Sequence, residues 1–151
     1  LGRLNTASWT EVQLLAPYAF IATLVMLLSR RTLDVMRLGD TEASSVGLRP
    51  QVVRFLVIAA ASLGTAASVS VSGLIAFVGI IVPHAVRLLA GTSNRIVLPL
   101  SVLYGAAFLA FVDLLGRSLV SPAEIPIGVI TAFCGAPFFV MVLRTSRKAL
   151  A

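Results

Sequence analysis

VVRFLVIAAASLGTAASVSVSGLIAFVGIIVPHAVRLL, residues 52–89, decides the fold. Between Arg54 and His84 it carries no ionisable side chain. A helix that crosses a bilayer needs about 20 apolar residues, with a range of about 17–25. This tract is too long for one crossing and fits two. Ser, Val and Gly alternate over 68–73, where turn-forming residues collect. The division is expected there, giving one segment over 52–71 and another over 72–89.

Working outward, three more apolar runs stand at 14–28, 96–115 and 127–143. The whole chain is 58% hydrophobic and 12% charged, against about 25% charged in ordinary soluble domains. In water such a surface would aggregate, whereas in a bilayer it faces hydrocarbon at little cost. Segments two to five are dotted with small residues such as Ala59, Gly64, Ala67, Gly105 and Ala106. Small residues let helix backbones approach closely in lipid, where the hydrophobic effect does not drive association. The expected fold is all-α, a polytopic transmembrane bundle with about five spans.

The net charge of +6 raises nucleic acid as a partner. The basic residues form no stripe and no patch interleaved with aromatics, which excludes it. They punctuate the apolar runs instead. Of the 12 Lys and Arg, all but Arg3 and Arg117 fall at 30–54, at 87–95 or in the tail from Arg144. Cytoplasmic loops collect Lys and Arg, so these three regions are expected on the cytoplasmic side, the C-terminus with them. Five crossings then put the N-terminus outside. The chain opens on Leu1 with no basic-start cleavable leader, and it reads as a portion of a longer protein.

Ionisable and reactive groups are few. Cys134 stands alone, which leaves no intrachain disulfide and no metal centre built on cysteines. No metal ligand set, no catalytic residue and no phosphate-binding glycine loop is present in the sequence, so ATP is not hydrolysed by this chain. The loop RTLDVMRLGDTEASSVGLRP, residues 31–50, is too polar to span and too apolar for a free linker. Asp40 and Glu42 suit a helix N-terminus, and Gly47 suits its stop with Pro50 beyond. A pair of short helices that dock into another protein is one reading; an amphipathic linker on the membrane surface is the other. Asp113 and Arg117 share a helical face four residues apart, and pairing lowers the cost of a carboxylate near hydrocarbon. In SPAEIPIG, 121–128, Pro126 suits a first helical turn and Glu124 favours the N-terminus ahead of it. In the 73–87 run, Gly79 and Pro83 weaken or kink a helix. His84 and Arg87 lie near its cytoplasmic end, where a snorkelling or carbonyl-bonded His outweighs a proton relay.

Four stretches together resemble one family. These are LNTASW (4–9), LGDTEASSVGL (38–48), GLIAFVGIIVPHAVR (73–87) and AEIPIGVITAFCGAPFFVMVLR (123–144). The chain is similar over essentially its whole length to the C-terminal half of FecCD-type permeases. These are the membrane subunits of binding-protein-dependent ABC importers for ferric siderophores, haem and cobalamin. Val46 stands where the family usually has Leu.

The resemblance implies about ten helices in the full fold and a single permease domain over 1–151. It implies a cytoplasmic coupling loop at 31–51, in which Leu38, Gly39, Asp40, Ala43 and Gly47 match the segment seated on an ABC ATPase subunit. Arg117 matches an outward arginine that receives an acidic residue of an extracytoplasmic substrate-binding protein. Gly79, Pro83, His84, Arg87, Asp113, Glu124, Pro126 and Gly128 match structural positions of the signature. The implied partners also include a second permease subunit, and ATP with magnesium would sit on the ATPase. The implied location is the cytoplasmic (inner) membrane. The rival reading is an ion-coupled secondary transporter, which would need intramembrane charge. Asp113, near a segment edge, offers little for that.

Overall fold

The computed structural model describes residues 2, 8–118 and 126–148, with side chains from Met141 onward given only for Val142. Six helices run in order: α1 (Trp9–Met36), α2 (Asp40–Ser45), α3 (Pro50–Ser72), α4 (Val78–Ala90), α5 (Asn94–Ser118) and α6 (Ile127–Lys148). Three of them, α1, α3 and α5, are long and apolar enough to cross a membrane. α4 and the apolar part of α6 are shorter. The all-α, multi-helix expectation holds, and α1 and α3 to α6 correspond one to one with the five apolar segments.

α1 is far longer than the 14–28 segment that announced it. Its start is fixed by a capping box: the Glu11 backbone N–H donates to Ser8 Oγ at 3.3 Å, and the Ser8 N–H donates to Glu11 Oε2 at 2.8 Å. Its end runs on to Met36 and absorbs the first part of the expected 31–51 loop. At 1.5 Å per residue, the 28 residues reach about 42 Å, enough to emerge well beyond hydrocarbon.

α3 begins with Pro50 at its first turn, where the missing N–H costs nothing. It stops at Gly73, whose φ of 69° any side chain would resist and whose N–H closes on Val69 O at 2.9 Å. This is the break expected in the 68–73 stretch. Beyond it, the third segment differs from expectation. Residues 73–77 are not helical, and α4 starts only at Val78. Gly79 and Pro83 do not interrupt it; both lie inside a continuous 13-residue helix. The interruption sits earlier, at Phe77, a non-glycine residue with φ 68°. α4 therefore covers only about 20 Å.

α1 packs along α3, and α5 crosses α1. Contact is close because the facing residues are small: Ala22 and Ala60 are buried, and a Cβ on Gly64 would lie 2.9 Å from that of Ala22. Gly64→Leu should push α1 and α3 apart at a cost of about 1–3 kcal/mol. A smaller fraction of the protein would then survive heating in detergent, measured by size-exclusion chromatography. A second contact joins α4 to α5, where Val82, Val86 and Val97 are buried with Phe108 and Leu100 against them.

The accessible surface is 10266 Å². A water-soluble monomer of 15.9 kDa would show about 7,400 Å². Large apolar side chains contribute to it: Leu14, Phe20, Phe55, Leu88, Leu103 and Phe133 are all exposed on helix faces. Such faces require lipid or further protein over them.

Candidate functional site

The two ends of the bundle differ in chemistry. At one end lie the close of α1, all of α2, the start of α3 and the α4–α5 turn. Asp40 of α2 pairs with Arg54 of α3 at 2.7 Å. Ser93 and Asn94 bond to Asp34 of α1. The Arg37 guanidinium donates to Thr92 O. The cation-rich 30–54 and 87–95 stretches thus share one end, as their charge required. At the opposite end the Gly2 N–H donates to Leu74 O at 3.0 Å, and Gly128 sits against the same carbonyl.

The 38–48 segment is ordered by its own backbone. Gly39, at φ 131°, turns the chain out of α1, and its carbonyl accepts the Ala43 N–H at 3.0 Å. Ser44 and Ser45 hydroxyls donate back to Thr41 O and Glu42 O. The helix closes on a Schellman motif: Gly47 N–H bonds Ser44 O at 3.0 Å and Leu48 N–H bonds Ala43 O at 3.1 Å. Gly47 itself is left-handed at φ 81°. One short helix forms here, not the expected pair, because α1 extends to Met36 and α3 begins at Pro50. The loop proper is therefore 37–49.

The segment presents two exposed apolar side chains, Leu38 at 73% and Val46 at 66%. Ala43 is turned the other way at 0% exposure. It seats α2 on the bundle, so its place in the matched segment is as support and not as an outward contact. A groove of about 530 Å³ runs beside α2, lined by Asp40, Thr41, Ser44, Leu48 and Pro50 among others. The Thr41 hydroxyl donates to Glu42 Oε2 at 2.7 Å. That bond holds the Glu42 carboxyl below its ordinary range.

Arg117 Nε meets Asp113 Oδ2 at 2.9 Å in the last turns of α5, with Arg117 half exposed and Asp113 more enclosed. The i,i+4 pair is as expected. Pro126 stands just before α6, and its carbonyl accepts the Val129 N–H at 2.9 Å. Gly128 lets α6 approach the Leu74 carbonyl; a Cβ would come within 3.1 Å of it. Thr131, fully buried, donates to Gly128 O. Glu124 lies outside the described residues.

The His84 ring stands edge-on to Phe138 of α6, centroids 5.6 Å apart. It makes no hydrogen bond among the described residues. Arg87, exposed in the last turn of α4, favours the negative end of that helix. Gly79 has open space around its Cβ position.

Sequence reasoning missed Asp34. Its acceptors lie 59 and 60 residues from their donors. The available signal was Ser93–Asn94, a helix-capping dipeptide ahead of an apolar run.

Apolar helices in close small-residue contact, a non-helical stretch between α3 and α4 and a structured loop at the cationic end define a polytopic bundle of membrane-type helices. The FecCD transport family matches residues 1–145. The chain belongs to that family.

The chain is 42% identical over 148 residues to the uncharacterized ABC transporter permease protein YvrB of Bacillus subtilis, covering 98% of this chain and 42% of that one. It is 41% identical over 144 residues to the cobalamin import system permease protein BtuC of Halobacterium salinarum, covering 95% and 38%. A solved ABC transporter described as metal-chelate type, in an inward-facing conformation, superposes with a TM-score of 0.88 at 33% identity. That match covers 95% of this chain and 46% of the other. The chain thus spans less than half the length of the relatives it matches.

Proposed function

We propose that the chain forms the coupling-loop half of a permease that passes a bulky metal chelate inward across the cytoplasmic membrane. A ferric siderophore is the proposed cargo, with haem and cobalamin the other members of that class. A separate ABC ATPase binds ATP and magnesium and supplies the energy; an extracytoplasmic binding protein delivers the cargo; a second permease subunit completes the pathway. The observation that carries this reading is the ordered 38–48 segment, with Leu38 and Val46 exposed at the cation-rich end. Exposed apolar side chains flanking a short helix that closes on a Schellman motif suit a protein partner.

In this reading the ATPase closes, pushes α2, and biases the bundle between inward and outward openings. Asp40, Gly39 and Gly47 hold the pushed helix in shape, while Leu38 and Val46 make the contact. Arg117, at the opposite end of α5, receives an acidic residue of the binding protein. The ion-coupled rival gains nothing from the fold, because Asp113 is already neutralised by Arg117.

Sidedness is the direct test. In a Cys134→Ala background, Val46→Cys should react with an impermeant maleimide only from the cytoplasmic face. Ser118→Cys, next to Arg117, should react only from outside. Labelling of Val46→Cys from outside would remove the orientation, the ATPase and the transport role together.

A further inference from the structure

The carboxylate of Asp34 ties the coupling segment to α5. It lies four residues before Leu38, in the last turn of α1, with 19% of its side chain exposed. Each carboxylate oxygen takes one donor from the α4–α5 turn: Ser93 Oγ reaches Oδ2 at 2.7 Å and Asn94 N–H reaches Oδ1 at 2.7 Å. Arg95 Nε stands 3.9 Å from Oδ2. Three residues on, the Arg37 guanidinium holds the Thr92 carbonyl. One turn of α1 therefore grips three consecutive residues, 92–94, far away in the chain.

The arrangement departs from an ordinary helix start. Ser93 stands at the capping position of α5, its carbonyl accepting the Val97 N–H, and its hydroxyl donates across to Asp34. The anion at the positive end of α5 comes from another helix. Hydrogen bonds to a charged acceptor are about twice as strong as neutral ones. The other link at this end, Asp40 to Arg54, has both side chains more than half exposed; pairs of that kind contribute little. Beyond the grip, α5 continues for 25 residues to Arg117 and Ser118, with the buried Val97 fixing it to α4 through Val82 and Val86.

We propose that Asp34 is the positioning residue through which displacement of the 38–48 segment is transmitted to α4 and α5. It touches neither cargo nor nucleotide. A push on α2 moves the end of α1, and the Asp34 grip makes the start of α5 and the close of α4 move with it. Without the grip, α2 and the α1 end yield locally and α5 stays behind. This inference rests on the permease reading above.

The test uses the complete transporter, permease with its ATPase and binding protein, in proteoliposomes. Radiolabelled ferrichrome and cyanocobalamin serve as probe cargoes, and the readout is cargo moved per ATP hydrolysed. Asp34→Ala should lower that ratio by about tenfold while ATP hydrolysis continues. Ser93→Ala, which removes one of the two bonds, should lower it severalfold. Asp34→Asn keeps one acceptor oxygen but loses the charge, and should lower the ratio severalfold, less than Asp34→Ala. A merely structural role would lower the amount of assembled transporter and leave the ratio per assembled complex unchanged. A wild-type ratio in both Asp34→Ala and Ser93→Ala overturns the proposal; if Asp34→Ala does not assemble, Ser93→Ala decides alone. Failure of the permease reading is separate, because the unaltered protein would then show no ATP-dependent uptake of either probe.

Discussion

Gly135→Ala should leave markedly less permease able to survive heating in detergent. Gly135 lies in the middle of α6, facing the unwound stretch before α4. A methyl group there would overlap the Cβ and Cγ of Phe77. These are the root of a side chain and not its flexible tip, so the overlap is not relieved by a rotamer change. The backbone cannot give way easily either, since Phe77 is already left-handed at φ 68° and ψ −20°. A bulky residue in that region costs roughly 1–2 kcal/mol relative to helix or strand, and overpacking a close contact adds about 1–3 kcal/mol. A double-mutant cycle gives the decisive readout. Phe77→Gly both accepts the positive φ and removes the overlapping atoms. Phe77→Gly with Gly135→Ala should therefore recover most of the stability lost in Gly135→Ala, a coupling expected of residues in contact. Independent, additive effects of the two changes would place α6 elsewhere.

The same pair shows where sequence reading stops. The break near Gly73 was legible because glycine advertises a positive φ, and the Asp113–Arg117 pair was legible because both partners lie on one helix at a fixed spacing. Phe77 advertises nothing of the kind. Its left-handed backbone lies against Gly135 of α6, a contact no local pattern records, while the visible helix weakeners Gly79 and Pro83 both lie inside α4. Distance along the chain hides the other contacts. Asp34 with Ser93, Asp40 with Arg54, and Gly2 with Leu74 join segments whose meeting no periodicity records. Ala43 reads as one more loop residue in sequence, and only the seating of α2 against the bundle turns it inward.

Gly47→Val should abolish most cargo uptake while the protein still inserts and its ATPase partner still hydrolyses ATP. The cause is the backbone and not the space available. No atom lies within 4 Å of a Cβ built on Gly47, so a valine side chain meets no neighbour in this chain. Its φ of 81° is the obstacle, because a β-branched residue is strained there. A penalty of roughly 1–2 kcal/mol lowers the equilibrium constant for the native turn on the order of tenfold. The Gly47–Ser44 and Leu48–Ala43 hydrogen bonds go with it, and these fix where Val46 points and how α2 joins α3. Uptake should fall by about the same factor, since only the native turn delivers the push. Gly47→Asn separates the two possible origins. Asparagine adds bulk to the same exposed place yet accepts the left-handed region, so it should keep most of the uptake. Were Asn as damaging as Val, the surface at residue 47 itself would be the contact. Were Val harmless in the complete transporter, the ATPase would not be driving the bundle through α2.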